Sequence, residues 1–526
     1  MGNVTSGIAS GGPDQVKRGG AVANGTINAR QQMVETSRAQ QQQRARPGGE
    51  SQEQQQQATP VTGAQGQGGS RAQSQAPSQR QVAQGAQGTQ GTQGTQGTPT
   101  QPQPQPQPVT TPTPLQKAQD ELRKAQDEAK KAKDELRAAQ AAQQSKVAKG
   151  VPAMQDAQVF RGVGGPIKYE RVPVPMPGQD EVLINIKYSG VCHCDLNAMK
   201  GDLGKPSKVP FIGGHEGAGV VVGLGPGVTA LKLGDHAGLT STHSTCLLPS
   251  CAACRTGATP QCAARRRTGL DADGTFQQYV VARAAHVVRL PREVDLAAAA
   301  PVLCAGATAY RALKTSGLWA GQDLAVVGAG GGVGHLVVQY ARVMGLRVVG
   351  VDYGDDKRRV CVEKGGAAKY VDLARLPQGQ QANGAAKKQS TAAADPRQSA
   401  LAREVRAASA DGQGFHGVIV AASGAEAYAA AWAFARAGGT VVAVGSGPGA
   451  VVQVPADAAV GGRLTLAGVG PGPSRQDVVE ALDVFRQALG GIKVQAKTVG
   501  LSELGHVMEL MERGRIAGRY VLDTSR

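Results

Sequence analysis

Aromatic residues and long apolar runs are scarce in this chain of 526 residues. Aromatic side chains make up 3% of the sequence, and no run approaches the roughly 20 apolar residues that span a bilayer. A signal-peptide core is also missing, so we expect a cytoplasmic protein without a transmembrane segment. The opening MGNVTS fits the N-myristoylation pattern at Gly2 and Ser6, and one acyl chain would anchor the protein only weakly.

The formal net charge of +17 does not follow a nucleic-acid-binding pattern. Its only tight cluster is RRR at 265–267, and aromatic residues do not alternate with basic ones along any stripe. Zinc-finger spacing and RNA-binding signatures are missing as well. We therefore expect a scattered, solvated excess of charge and no nucleic-acid partner.

The N-terminal part of the chain has little apolar surface to bury. Residues 1–114 consist largely of Gln, Gly, Pro, Thr, Ser and Ala, and we expect a disordered low-complexity arm. Residues 115–147 repeat units such as KAQDELR, in which Ala and Leu alternate by four and three, as in a heptad. Because this seam is mostly alanine, we expect a solvated charged helix, with a short coiled coil as the alternative.

From about residue 154 the apolar pattern becomes that of a folded protein. EVLINIKYSGV at 181–191 is typical of a strand. After residue 323, DLAVVGAGGGVGHLVVQYARVMGLRVVGVD has the pattern of a strand, a glycine turn, a helix and a strand, and three more buried-strand runs follow. This order predicts an α/β fold with a doubly wound parallel sheet. A low-complexity stretch over about 376–414 predicts a surface insertion in that sheet domain.

The glycine turn predicts a nucleotide site. It contains Gly328, Gly331, Gly332, Val333 and Gly334. Val333 stands where the strict GxGxxG motif has its third glycine, but the spacing Gly328, Gly331 and Gly334 is kept. These glycines let the backbone approach a pyrophosphate, and the helix amides face its charge. Asp352 ends the next strand, where a carboxylate binds ribose hydroxyls and repels a 2′-phosphate. The turn therefore predicts NAD rather than NADP.

Cysteine and histidine form two candidate metal groups. Four cysteines lie close together in sequence and predict a closed, structural zinc site, with disulfides as the alternative. These are Cys246, Cys251, Cys254 and Cys262. The second group is dispersed over Cys192, His215 and Cys304 and leaves a fourth position for water or substrate, as a Lewis-acid zinc requires. Spacing alone does not join these three residues.

Motifs spread over residues 154–526, apart from the insertion, resemble the medium-chain zinc-dependent alcohol dehydrogenases, especially the yeast-type branch. They are CHCDLNAMKGD, VPFIGGHEGAGVVVGLG, DGTFQQY, APVLCAGATAYRALK, VDYGDDK and GRYVLDTS. The resemblance implies a GroES-like catalytic domain over 154–304, a Rossmann NAD-binding domain over 305–470 and a return to the catalytic domain over 471–526. It also implies two zinc ions per chain, an alcohol or aldehyde substrate, and a homo-tetramer or dimer.

For the zinc site, the resemblance implies a role for each residue. Cys192, His215 and Cys304 would hold the catalytic zinc. Glu216 would lie close behind the metal, and Asp195 would orient the zinc-bound histidine. Zinc would lower the pKa of the alcohol, so that a hydride can pass to the nicotinamide.

For the cofactor, the resemblance implies contacts from residues outside the glycine turn. His193 would reach the cofactor phosphates. Lys357 would lie near the adenosine ribose together with Asp352, and Arg519 would lie near the pyrophosphate.

The sequence departs from the family at the proton relay. Cys194 and Asn197 stand where the family has a hydroxyl residue and a histidine that pass the alcohol proton to solvent. A thiol is a poor hydrogen-bond donor, and asparagine cannot carry a proton near neutral pH. Cys194 could instead be a fourth zinc ligand, which would close the site. The relay losses also motivate an alternative function, an impaired NAD-binding protein that acts through interactions.

Other departures concern the substrate pocket and its surroundings. Leu203 and Ser241 replace two tryptophans that narrow the yeast-type pocket, which predicts a wider pocket and a substrate bulkier than ethanol. The structural zinc loop is stretched between Cys246 and Cys251, and GPGPSR at 470–475 is longer than usual. Either change could loosen the zinc lobe or the cleft.

Restoring histidine at the relay position tests whether its loss limits the rate. Asn197→His should raise kcat near neutral pH by up to about 100-fold, the lower end of what general acid–base catalysis contributes. The measurement is the pH profile of NAD reduction for both proteins. A profile without any gain would mean that the proton leaves by another route.

Overall fold

The computed structural model describes residues 113–144, 146–375, 399–445, 451–452, 454–470, 472–488 and 490–526. The predicted arm lies outside the described residues except for its last two positions, and so does the predicted acylation site. Helix α1 (Pro114–Gln144) forms the charged segment, and every described side chain from Thr113 to Glu135 is exposed. The helix ends before the predicted limit of 147, because Val147 forms an antiparallel bridge with Gly223. The boundary between two compact units of the chain falls after Ala132, inside α1.

The first half of the folded region is mostly β-structure. Its strands are β1 (Met154–Phe160), β2 (Ile167–Pro173), β3 (Glu181–Val191), β4 (Phe211–Ile212), β5 (Glu216–Leu224), β6 (His236–Gly238), β7 (Thr242–Ser244), β8 (Arg266–Arg267), β9 (Tyr279–Arg283) and β10 (Val288–Arg289). Its helices are α2 (His193–Lys200) and α3 (Ala252–Arg255).

The second half alternates strands and helices. Its elements are α4 (Leu296–Pro301), a π-helical turn (Val302–Gly306), α5 (Ala307–Ser316), β11 (Asp323–Val327), α6 (Gly334–Val343), β12 (Arg347–Asp352), α7 (Asp355–Arg358), β13 (Lys369–Asp372), α8 (Ala400–Ala407), β14 (Phe415–Val420), α9 (Ala425–Phe434), β15 (Ala435–Ala443), α10 (Ala456–Gly462) and β16 (Thr465–Gly468). The C-terminal elements are α11 (Arg475–Gln487), β17 (Ala496–Gly500), α12 (Leu504–Glu512) and β18 (Arg519–Asp523).

Strands β11 to β16 form one parallel sheet in the order β13-β12-β11-β14-β15-β16. This order is that of a doubly wound dinucleotide-binding fold, so the predicted fold class is confirmed. All five residues of β11 are buried, because helices cover both faces of such a sheet. The carboxyl end of β11 leads directly into the glycine turn, which therefore lies where ligands bind in these folds.

The larger sheet of the β-rich half has the order β10-β6-β5-β3-β18-β17, and β9 also pairs with β3. The last strand, β18, runs antiparallel to β3, with Tyr520 opposite Val191. The C-terminal end of the chain therefore packs against the first half. A smaller sheet contains β2, β1 and β4.

The insertion predicted over 376–414 is too long at its C-terminal end. Residues 376–398 lie outside the described residues, but α8 belongs to the folded core. Ser399 caps this helix by accepting a hydrogen bond from the Ala402 amide (3.1 Å), and Ala402 and Val405 are fully buried. Their spacing places both on one helix face, a signal that the alanine-rich composition of the segment obscured.

One continuous helix, Leu296–Ser316, is long and apolar enough to cross a membrane by length and composition alone. However, 72% of its most apolar window is buried inside the protein, and Leu303, Ala305 and Ala309 are fully buried. This burial is that of a core helix. It carries the chain from the β-rich half into the parallel sheet.

The two tryptophans of the chain provide a matched test of the core. Trp432→Ala should lower the free energy of unfolding by about 3–5 kcal/mol, because Trp432 is 1% exposed and fills the core beside the sheet. Trp319 is 57% exposed, so Trp319→Ala should stay within about 0.5 kcal/mol of the parent. Denaturant unfolding followed by circular dichroism measures both. Equal losses in the two variants would contradict the assigned core.

Candidate active site

Three side chains from distant parts of the sequence meet at one point. Cys192 lies between β3 and α2, His215 directly precedes β5, and Cys304 lies in the π-helical turn, a helical irregularity common at functional sites. Together with Glu216 they form a buried group whose ligand atoms all lie within 4.8 Å of one another. The convergence that spacing alone could not predict is thus a product of the fold.

The donor set fits a zinc ion. His215 Nε2 lies 3.3 Å from Cys304 Sγ, close to the roughly 3.6 Å expected between nitrogen and sulfur ligands of one tetrahedral zinc. His215 Nδ1 lies 2.9 Å from Asp195 Oδ1, so the carboxylate can hold the ring with Nε2 free to bind the metal. Asp195 is held in turn, because its Oδ2 accepts a hydrogen bond from the Cys192 amide (2.9 Å).

Buried charges surround this group. Burial lowers the pKa of His215, but the Asp195 carboxylate outweighs it and raises the pKa well above its usual value. Burial raises the pKa of Glu216, and the Arg519 guanidinium opposes that rise by favouring the carboxylate. Arg519 forms an ion pair with Glu216, and both residues are buried. Glu216 thus lies beside the predicted zinc ligands.

The four remaining clustered cysteines also converge. The sulfur atoms of Cys246 and Cys262 are 3.6 Å apart, those of Cys246 and Cys254 3.7 Å, and those of Cys251 and Cys262 4.0 Å. Four thiolates on one tetrahedral zinc lie about 3.8 Å apart, whereas a disulfide brings two sulfurs to about 2 Å. All eight cysteines, which lie in the described part of the chain, are free. The geometry therefore fits the structural zinc site and not the disulfide alternative.

The stretched spacing in this loop does not separate the sulfur atoms. The extra length forms a bulge in which Leu247 adopts a positive φ of 52° and Leu248 is exposed. The chain thus absorbs the additional residues at the surface.

The glycine turn packs closely on its neighbours. Gly328 has a positive φ of 78°, and a Cβ on Gly334 would collide with the Gly328 carbonyl oxygen. Gly328, Gly331, Gly332 and Val333 line the cleft described below, whereas Gly334 packs against the turn itself. A Cβ on Gly332 would clash with the Arg519 guanidinium, so this arginine lies between the turn and Glu216.

Asp352 lies at the end of β12, beside the turn. Its Oδ2 accepts a hydrogen bond from the Gly330 amide (2.9 Å), and its Oδ1 accepts one from Lys357 Nζ (3.0 Å). Asp352 and Lys357 are therefore adjacent, at the position where a ribose is expected.

A single cleft of about 980 Å³ connects the metal group with the glycine turn. The predicted cofactor and relay residues His193, Cys194 and Asn197 line it, and so do the pocket residues Leu203 and Ser241. Cys194 is exposed and lies beside the Cys192 thiol, but it is not among the four residues whose ligand atoms converge. The arrangement favours Cys194 as a residue of the cleft wall over the fourth-ligand alternative.

His335 was missed by the sequence analysis. It is fully buried at the start of α6, its Nδ1 lies 2.9 Å from the Gly331 carbonyl oxygen, and its Nε2 accepts the Gln495 amide (3.3 Å). Burial lowers its pKa to about 4, so the ring is neutral at physiological pH. It connects the glycine turn to the segment before β17. Its position next to the turn was the only available signal.

The chain combines a doubly wound sheet and its glycine turn with a β-rich half. That half carries the two cysteines and the histidine of the metal group and a separate four-cysteine lobe. This combination is typical of zinc-containing nucleotide-dependent oxidoreductases. Comparison with known families agrees. The Alcohol dehydrogenase GroES-like domain matches residues 178–292, and the Zinc-binding dehydrogenase family matches residues 332–487.

Two fungal relatives are similar over most of the folded region. Alcohol dehydrogenase 1 of Neurospora crassa is 45% identical over 376 residues, which is 72% of this chain and 99% of the relative. Alcohol dehydrogenase 1 of Emericella nidulans is 45% identical over 373 residues, 71% of this chain and 99% of the relative. The crystal structure of the alcohol dehydrogenase from Aeropyrum pernix is similar with a TM-score of 0.59 and 26% identity, covering 70% of this chain and all of that one.

The chain belongs to the zinc-dependent medium-chain alcohol dehydrogenase family. The prediction of a zinc- and NAD-dependent alcohol dehydrogenase with a small-molecule alcohol or aldehyde substrate is confirmed at this level. The roles of individual residues stay predictions.

Zinc content tests the four-cysteine lobe. Cys254→Ser should reduce bound zinc from two ions per chain to one and lower the unfolding midpoint, because the lobe loses a ligand of its closed site. Cys361→Ala is the control, since Cys361 is fully buried but belongs to neither group. Mass spectrometry of the metal content distinguishes the two variants. Two zinc ions in Cys254→Ser, or one in Cys361→Ala, would contradict the assignment.

Proposed function

We propose that the chain transfers a hydride between NAD and a primary alcohol bulkier than ethanol, or its aldehyde. The observation that carries this proposal is the convergence of Cys192, His215 and Cys304 in the cleft that the glycine turn also lines. A metal group and a nucleotide site in one cleft bring the reacting carbon and the nicotinamide together.

Cys192, His215 and Cys304 would hold the catalytic zinc. Zinc supplies a Lewis acid that lowers the pKa of the alcohol, and NAD supplies the hydride acceptor. Asp195 keeps the His215 ring in the tautomer that has Nε2 free for the metal. Glu216 and Arg519 form a buried ion pair next to these ligands, and each charge compensates the other.

Cofactor binding would involve residues of the cleft wall, among them the carboxylate of Asp352. Asp352 accepts the ribose hydroxyls and Lys357 stays beside it, which supports NAD over NADP. His193 and Arg519 are proposed to approach the phosphates, since both line the cleft. The backbone amides of the glycine turn add uncharged donors to the same group.

The substrate would occupy the part of the cleft between Leu203 and Ser241. Neither residue fills the space of an indole, so branched or aromatic alcohols fit better than ethanol. Cys194 and Asn197 line the same region. Asn197 cannot accept the alcohol proton at its amide, so the proton would leave by solvent in the open cleft.

The domain boundaries, the assembly and the location belong to the proposal. We propose a catalytic domain built from residues 154–304 and 471–526, with a NAD-binding domain over 305–470 between these two segments in the sequence. We also propose that the chain forms a homo-tetramer or dimer. Eight free cysteines support a reducing compartment and hence the cytoplasm.

The alternative of an impaired NAD-binding protein has less support. The relay positions lack their usual residues, but both cysteines and the histidine of the proposed catalytic ligand set are present and converge. A protein that had given up catalysis would not need this buried group of thiols, imidazole and carboxylate, which costs stability without a metal.

NAD reduction by the purified full chain tests the proposed function. Straight-chain, branched and aromatic primary alcohols are compared with and without a zinc chelator. We expect turnover that the chelator abolishes and a kcat/KM that rises from ethanol to the bulkier alcohols. Cys192→Ser should lower kcat at least about 1,000-fold, because a Lewis acid contributes several kcal/mol.

The readout has to separate catalysis from folding. Cys192→Ser should keep the secondary structure and bind NAD with unchanged affinity, since its side chain lies at the metal group. A folded, zinc-loaded protein without turnover on any alcohol would sink the dehydrogenase proposal and favour the impaired binder. If ethanol were the best substrate, the predicted wide pocket would be wrong, but the dehydrogenase proposal would stand.

A further inference from the structure

Two buried polar residues lie on the face of α6 that meets the C-terminal part of the chain. His335 and Gln339 are four residues apart, so they occupy the same side of the helix one turn from each other. A buried polar side chain lowers stability unless its hydrogen bonds are satisfied. Both residues bond to backbone atoms, which fixes the segments that they contact.

Gln339 is bonded to Lys493 at both ends of its amide. Its Nε2 donates to the Lys493 carbonyl oxygen (3.0 Å), and its Oε1 accepts a hydrogen bond from the Lys493 amide (2.7 Å). The same Nε2 donates to the His335 carbonyl oxygen (3.1 Å). Gln339 therefore attaches the segment before β17 to α6, one helical turn away from the glycine turn.

His335 bonds in two directions, and its partners determine its tautomer. A carbonyl oxygen can only accept, so Nδ1, which lies 2.9 Å from the Gly331 carbonyl oxygen, carries the proton. A backbone amide can only donate, so Nε2, which accepts from the Gln495 amide at 3.3 Å, is unprotonated. The ring therefore directs one N–H at the glycine turn and one lone pair at the C-terminal segment.

The contacts of this imidazole continue to Arg519. The Gln495 carbonyl oxygen accepts a hydrogen bond from the Arg519 amide (2.8 Å). The adjacent Gly518 amide donates to the Gly330 carbonyl oxygen (2.8 Å). The Arg519 side chain also returns to the turn, since a Cβ on Gly332 would clash with its guanidinium. The glycine turn and Arg519 are thus joined both directly and through the imidazole.

We propose that His335 is a positioning residue for the cofactor, which gives the glycine turn and Arg519 one common geometry. This rests on the proposed function, in which the turn amides and Arg519 both approach the cofactor phosphates. Because these groups belong to segments far apart in sequence, a bridge between them keeps both in place before the ligand binds. Loss of the bridge should weaken NAD binding, since the lost order has to be restored during binding.

Kinetics of the full, zinc-loaded chain test this role, with NAD varied at a saturating concentration of the best alcohol. His335→Leu should raise KM for NAD by about 5- to 100-fold, the effect of leaving a buried hydrogen-bonding group unpaired. In contrast, kcat at saturating NAD should fall less than about threefold, because the ring is not part of the metal group. Fluorescence titration with NADH measures the same loss as a Kd.

Two conservative variants separate the role of the hydrogen bonds from that of the volume. His335→Asn keeps an N–H near the place of Nδ1, and His335→Gln keeps an acceptor near the place of Nε2. Each should recover part of the NADH affinity that His335→Leu loses, because each keeps one bond. If the ring only filled space, His335→Leu would be the mildest of the three variants and His335→Asn the most damaging, which would contradict the proposal.

Gln339→Met is the matched control, since Gln339 is buried on the same helix face and holds the same segment through Lys493. It should lower the unfolding midpoint and leave KM for NAD within about threefold. An equal rise of KM in Gln339→Met and His335→Leu would overturn the proposal, because attachment of the segment alone would then be sufficient.

The outcomes also separate this proposal from the proposed function. An unchanged KM and Kd in folded His335→Leu would overturn the role of His335 and leave the dehydrogenase proposal intact. A wild type that binds NADH without turnover would overturn the dehydrogenase proposal, and the Kd values of the variants would still decide the role of His335. Circular dichroism reports folding. If His335→Leu does not fold, the Kd values of His335→Asn and His335→Gln relative to the wild type and Gln339→Met decide.

Discussion

The buried ion pair between Arg519 and Glu216 joins two strands of the β-rich sheet beside the metal group. Arg519 begins β18, Glu216 begins β5, and the arginine also packs against Gly332 in the glycine turn. Both charges are out of contact with water, so removing one partner would leave the other buried and uncompensated, at a cost of about 3–5 kcal/mol. The antiparallel pairing of β18 with β3 places Tyr520, the neighbour of Arg519, opposite Val191, the neighbour of Cys192.

Further contacts hold the elements around the cleft together. The core helix Leu296–Ser316 places Cys304 in its π-helical turn and then carries the chain into the parallel sheet. His335 bonds the glycine turn to the segment before β17, on the same side as Arg519. Two separate contacts thus hold the turn against the returning C-terminal part of the chain. Leu203 and Ser241 line another part of the same cleft.

The four-cysteine lobe has a second consequence beyond its own stability. Its last cysteine, Cys262, precedes the three arginines by two alanines, so a closed metal site would fix the start of the segment that carries Arg265 and Arg267. Arg267 donates directly to the Leu203 carbonyl oxygen and separately forms an ion pair with Asp271. A structural site without open coordination thereby positions charged groups in the pocket.

Local patterns were the most predictable part of the fold. The strand, glycine turn, helix and Asp352 follow one another within a short stretch, so their geometry depends on neighbours in sequence. The extent of the insertion was predicted less well, because the composition of α8 resembles a loop although Ala402 and Val405 face the core. His335 gave no pattern, since a buried neutral imidazole looks like any other helical residue in sequence.

The sequence by itself determined the α/β class, the nucleotide turn, the preference for NAD and the cysteine lobe, because each depends on residues close together along the chain. Only the tertiary structure decided that Cys192, His215 and Cys304 meet beside Glu216, and that Cys194 is not among the residues whose ligand atoms converge there. The physical reason is that these contacts join segments far apart in sequence. They form only when β3, β5, β18 and the core helix pack together, and no local propensity encodes that packing.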